Sequence, residues 1–183
     1  LFCYTDAAGQ PMYFKVRHEY PNFESLSADE QQRIATLAKA NNHKWIRALS
    51  LNHDSQQWQL KAPDFKTVYP AGNGKKPLYR LLDIVQAEPS QIVYLFEGEQ
   101  KADYAASIEL LATTCGGSND IAATDLEPLT GRFIVIWADH DTAGIKARNE
   151  LIEALHLSLI HILRAHETRE DIVCRLLLEK KKR

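Results

Sequence analysis

Apolar and polar positions follow two different periods along this chain. In the first 19 residues, two β-prone runs flank Asp6-Ala7-Ala8-Gly9, a turn-forming quartet, and together they predict a hairpin. In its second arm Met12, Phe14 and Val16 alternate with Tyr13, Lys15 and Arg17, giving one apolar face and one with two cations and a ring. The second face is read as the outer one. It fits either a solvated strand face or a surface that follows a nucleic-acid backbone through Lys15 and Arg17, with Tyr13 available for stacking. Ser27-Ala28-Asp29-Glu30 is a capping box, and Ile34, Leu37 and Ala38 follow at helical spacing, so a helix is predicted from Ala28 to about Ala40. Trp45, Ile46, Leu49 and Leu51, then Trp58 and Leu60, suggest short strands or turns over a small core. The segment 69–77, rich in Gly and Pro, is the clearest break. It lacks the glycine and hydroxyl positions of a Walker phosphate loop, so it reads as a basic loop, either solvated or touching nucleic acid through Lys75 and Lys76.

After Leu78 strands and helices alternate. Ile92 to Phe96 is a continuous apolar run, as in a strand buried on both faces; 101–111 has helical spacing; Leu111 to Thr114 fits a short strand ending at Gly116-Gly117. Phe133 to Trp137 reads as another buried strand and Thr142 to Leu155 as an amphipathic helix. This β-α-β-β-α order predicts an α/β fold, a mostly parallel sheet flanked by helices, over residues 89–156, preceded by a small α+β subdomain over 1–88.

Composition adds bounds. At 183 residues, 45% apolar and 25% charged, the chain suits one full domain or two small ones. No apolar run reaches the roughly 18 residues of a membrane-spanning helix, and no secretory signal opens the chain, so the expected compartment is the cytoplasm. Cys3, Cys115 and Cys174 have no partner at zinc-ligand spacing and are read as free thiols, without a zinc site. The formal charge of −2 argues against a uniformly basic nucleic-acid coat. The chain begins at Leu1 rather than Met and is read as a fragment. Residues 157–183 resemble a translated sequencing-library adapter ending in an A-rich run, a non-native tail expected to pack poorly. The tail holds seven of the 22 Lys and Arg and four of the 24 Asp and Glu, so residues 1–156 alone carry a charge of −5.

The candidate chemistry lies at two strand exits. One is Phe96-Glu97-Gly98-Glu99; the other is Trp137-Ala138-Asp139-His140-Asp141-Thr142-Ala143-Gly144. Ligands of open parallel sheets collect outside the carboxyl ends of strands, so Glu97, Asp139 and Asp141 are expected to converge on one crevice. Three neighbouring carboxylates repel each other, and a hard cation relieves that repulsion. Magnesium, or manganese in its place, takes oxygen ligands and binds through a few carboxylates plus substrate phosphates. His140, between the aspartates, is read as a surface residue.

On these residues the stretch from Ile92 to Leu155 resembles the Toprim domain shared by DnaG-type primases, topoisomerases and some nucleases. It is most similar to the primases and primase-helicases of phages, plasmids and other mobile elements. The similar runs are Glu97 to Asp103 (EGEQKAD), Ala112 to Gly117 (ATTCGG), Leu129 to Arg132 (LTGR), Asp139 to Gly144 and, upstream, Pro77 to Leu81 (PLYRL). The resemblance implies that Glu97 is a general base or acid or a metal ligand, that Asp139 and Asp141 bind magnesium, and that Glu99 and Asp103 support them. It departs after EGE, where Gln100 and Lys101 replace the family's lysine and aspartate; Lys101 then either supplies a displaced cation or faces solvent.

The function implied is a magnesium-dependent DNA primase, a nucleotidyltransferase that makes RNA primers on single-stranded DNA from ribonucleoside triphosphates during replication of a mobile element. Lys15, Arg17, Lys75, Lys76, Arg80 and Lys101 are the candidate template or nucleotide contacts. A replicative helicase, in cis or in trans, would be the partner. The alternatives are Toprim-type strand cleavage by a nuclease or topoisomerase, and a nucleic-acid-binding module without catalysis.

Overall fold

A computed structural model describes residues 1–19, 23–38, 44–52, 55–156 and 161–164. The chain divides into two compact units, Leu1–Gly74 and Lys75–Arg183.

The first unit is built on an antiparallel sheet of β1 (Phe2–Thr5), β2 (Pro11–Glu19), β3 (Lys44–Asn52) and β4 (Gln57–Gln59), in that spatial order. Its first hairpin turns where the sequence places it, because the Asp6 carboxylate accepts the amides of Ala8 (2.9 Å) and Gln10 (2.8 Å), an Asx turn. Helix α1 (Ala28–Ala38) starts at the capping box: the Glu30 amide donates to Ser27 Oγ at 3.3 Å, and the Ser27 amide donates to Glu30 Oε2 at 3.1 Å. The Ser27 hydroxyl, donating to Glu30 Oε2 at 2.7 Å, and then the Ser27 amide hold the Glu30 carboxyl below its usual range. The expected helix end near Ala40 lies outside the described residues. A short helix, α2 (Phe65–Val68), is capped by Asp64.

The two faces of β2 differ less than the sequence predicts, since Met12, Phe14, Val16, Lys15 and Arg17 are all half-buried, and Tyr13 departs from the expectation. Tyr13 is buried, stacked on Tyr4 with ring centres 4.5 Å apart and edge-on to Phe65 at 5.4 Å. It is therefore not available to stack on bases. Phe14, on the supposed inner face, is half-buried beside the exposed Trp58. The stacked and edge-on rings of Tyr4, Tyr13 and Phe65 gain from ring packing as well as from burial.

The second unit carries a parallel sheet of β5 (Val93–Phe96), β6 (Ala112–Thr113), β7 (Phe133–Trp137) and β8 (His161–Arg164), in the order β6-β5-β7-β8. Helices α3 (Leu81–Gln86), α4 (Glu99–Ser107) and α5 (Thr142–His156) complete it. The molecule is thus mixed α/β, with one antiparallel and one parallel sheet. Val93, Leu95, Ile134 and Ile136 meet Leu78, Ile84, Leu129, Leu151 and Leu155 in one core. Tyr94 and Phe96 are half-buried, so β5 is covered less fully than its unbroken apolar run suggests.

The division falls after Gly74 rather than after residue 88, because the segment from Lys76 onward is bonded into the second unit. Lys76 bridges to Thr124, the Tyr79 amide donates to the Thr114 carbonyl at 3.1 Å, and Thr113 Oγ1 donates to the Tyr79 carbonyl at 2.6 Å. Arg132, of the LTGR run, is buried and donates to the carbonyls of Ile84 (2.7 Å), Ala87 (3.2 Å) and Glu88 (3.1 Å). Those carbonyls lie at the C-terminal end of α3, where helical partners run out.

Four residues of the tail pair with the sheet through their backbone. His161 to Arg164 pair with Phe133 to Ile136 as the edge strand. An open edge offers a row of backbone donors and acceptors to any β-prone segment, and this pairing uses them. Residues 165–183, with Cys174, lie outside the described residues. Among the described residues no helix is long and apolar enough to cross a membrane.

Candidate functional site

Parallel pairing of β5 with β7 sets Phe96 opposite Trp137, with their rings stacked at 5.7 Å, and so brings both strand exits to the same end of the sheet. Glu97 leaves β5 one residue later, and Asp139 leaves β7 two residues later. The Asp139 amide donates to Glu97 Oε2 at 3.4 Å. The two carboxylate-bearing exits, 42 positions apart in sequence, are therefore neighbours.

Two glycines make these exits possible. Gly98 has φ +96°, a conformation that L side chains rarely adopt, and it turns β5 directly into α4. Gly144 lies so close to the preceding loop that a Cβ on it would stand 2.2 Å from the Asp139 carbonyl oxygen. The Asp141 carboxylate accepts the Gly144 amide at 2.7 Å and the Asp141 carbonyl accepts the Ile145 amide at 2.9 Å, which starts α5. Buried Thr114 holds the third exit in place, its Oγ1 accepting the amides of Gly98 (3.1 Å) and Gly116 (2.9 Å).

The three expected carboxylates are only partly brought together. The Glu97 carboxylate reaches the Asp139 backbone amide, the Asp139 carboxylate meets Lys101, and the Asp141 side chain turns to the N-terminus of α5. Among the described residues no group of three His, Cys, Asp or Glu side chains is placed to hold a metal ion. Lys101, in the first turn of α4, is half-exposed, and its ammonium bonds Asp139 Oδ1. The donor chemistry still suits magnesium, which keeps several waters and commonly uses one or two protein carboxylates with substrate phosphates. The fit is that of an open site on Glu97 and Asp139 rather than a cage of three ligands.

Asp103 is bonded to Tyr79 and Arg80: it accepts the Tyr79 hydroxyl at both oxygens (3.0 and 3.1 Å) and the Arg80 guanidinium at 3.2 Å, and Glu99 is buried. Burial, then the Asp103 bond, pushes the Tyr79 hydroxyl up from its ordinary pKa. Arg80 also pairs with Asp83 at 2.5 Å and has φ +58°, which makes it an anchor between α3 and α4. Lys76 is buried and pairs with Asp120 at 2.7 Å, so its charge is used inside the unit rather than offered to nucleic acid. Lys75 and His140 are exposed, while Lys15 and Arg17 are half-exposed on β2 of the first unit.

One residue was not singled out in the sequence. Arg148 lines the same cleft as Glu97, Thr114, Gly117 and Trp137. Its signal was helical spacing: Gly144, Ala147, Arg148 and Leu151 share one face of α5, and three of the four are buried. The Arg148 guanidinium donates to Asn149 Oδ1 at 3.1 and 3.3 Å. Cys115 also lines the cleft, but burial pushes that thiol up to about 12, so it is inert there.

No family model matches this chain, and no curated protein and no solved structure is significantly similar to it.

Proposed function

We propose that this chain is the catalytic part of a magnesium-dependent DNA primase, joining ribonucleotides on a single-stranded DNA template. The observation that carries the reading is the adjacency of Glu97 and Asp139 at parallel strand exits, each shaped by a glycine, Gly98 and Gly144. Toprim-like runs at the same positions support it. Glu97 and Asp139 would hold magnesium, which when bound offsets charge on the nucleotide phosphates. Glu97 is also placed to accept the proton of an attacking hydroxyl. Arg148 and the Gly117 backbone amide, which line the same cleft as Glu97, would face phosphate oxygens. Exposed Lys75, with Lys15 and Arg17 on the first unit, supplies candidate template contacts, and a replicative helicase in cis or in trans would expose the template.

The test is primer synthesis by the full chain on single-stranded DNA with ribonucleoside triphosphates and magnesium. Synthesis that falls by about a hundredfold or more in Glu97→Gln and Asp139→Asn is expected, the scale of losing an acid–base or charge-stabilising group. Nicking of supercoiled DNA without primers would replace this reading by strand cleavage. Binding of single-stranded DNA without any metal-dependent product would replace it by a non-catalytic binding module.

A further inference from the structure

Asp139 already carries a cation of the chain's own. Lys101 reaches it from the first turn of α4, and the pair is open to solvent, with side-chain exposures of 34% for Lys101 and 43% for Asp139. Such a pair is weak and exchangeable, because water screens it and two side chains lose freedom to make it. Lysine suits exchange: it is a point charge on a flexible stem, without the rigid fork that would fix arginine on a carboxylate. Neither backbone has to move for the ammonium to leave. Asp141, the other carboxylate of the loop, accepts the Gly144 amide at 2.7 Å, and the ammonium bonds Asp139.

We propose that Lys101 is a tethered counter-cation that competes with a divalent ion for Asp139 and thereby sets how tightly the free protein binds that ion. This rests on the reading of Glu97 and Asp139 as a magnesium site. Two consequences follow from the competition. The metal-free site is kept neutral enough to fold without a bound ion, and divalent ions bind more weakly than the carboxylates alone would allow. An anionic substrate that draws the ammonium away would tighten metal binding in return, as linkage requires.

Manganese binding to the full chain, followed by electron paramagnetic resonance of the free ion, tests this without any need for activity. Lys101→Gln is expected to bind manganese about fivefold more tightly than wild type, the upper scale of an exposed ion pair. Lys101→Arg restores a cation and is expected to bind manganese no more tightly than wild type. Asp139→Asn is expected to weaken binding, and adding Lys101→Gln to it should then change nothing further. Unchanged or weaker binding in Lys101→Gln, with Asp139→Asn still weakened, overturns the competition while leaving the metal site standing. Absence of saturable manganese binding in wild type and Lys101→Gln alike overturns the metal site itself.

Discussion

Gly144 and Asp139 approach so closely that a single added methyl group would overlap the Asp139 backbone, at 2.2 Å from its carbonyl oxygen and 2.9 Å from its nitrogen. The contact lies between backbone atoms, which cannot swing aside as a side chain end can. It explains why a glycine follows the second aspartate at this spacing. The loop bearing Asp139 rests directly on the first turn of α5.

Gly144→Ala is therefore expected to destabilise the second unit by about 1–3 kcal/mol, the usual cost of forcing atoms into filled space. It should also displace Asp139 from Glu97. Urea unfolding measures the first effect and manganese binding the second. A variant as stable as wild type with full metal affinity would show that the loop has another way to relax.

Arg132 ties the strand β7 entrance to α3 through three carbonyls, with its charge buried. Removing it in Arg132→Ala leaves those carbonyls without that donor, and a loss of about 3 kcal/mol is expected for bonds from a charged group. Lysine lacks the fork that serves several acceptors at once, so Arg132→Lys should recover only part. Denaturation midpoints of the two variants test this ordering.

Lys76 separates a structural lysine from a binding one. Lys76→Met is expected to lower stability by about 2 kcal/mol, less than a fully buried orphaned charge because Asp120 is partly hydrated. The affinity of the folded variant for single-stranded DNA, and its salt dependence, should stay as in wild type. A reduced salt slope in Lys76→Met would instead count Lys76 among the phosphate contacts.

Stability should fall on the alkaline side. Burial raises the Cys115 thiol to about 12 and also raises Tyr79. Each group stays protonated in the folded state over a range where the unfolded chain has already lost the proton. Their contribution is complete below the ordinary thiol pKa and is lost as pH rises from about 9 toward 12. Unfolding followed across that range should show the decline, and Cys115→Ser should reduce it. Native Cys115 should also resist a thiol reagent at pH 8 until the protein unfolds.

Local chemistry was legible in the chain itself. The Asp6 turn, the Ser27–Glu30 capping box, the runs that became β5 and β7, and the helix beginning at Thr142 depend on neighbours within a few residues, and their spacing states them. So does the presence of acidic residues at two strand exits. Which groups those residues meet was decided elsewhere. Tyr13 is buried against Tyr4 and Phe65, Lys76 is buried against Asp120, and the Asp141 carboxylate accepts the Gly144 amide at the start of α5. Lys101 had two open fates in the sequence, and only the pairing of β5 with β7 brought Asp139 within its reach. Short-range hydrogen bonding is fixed by residue order, whereas the partner of a long charged side chain depends on strands that meet across 38 or more positions of chain.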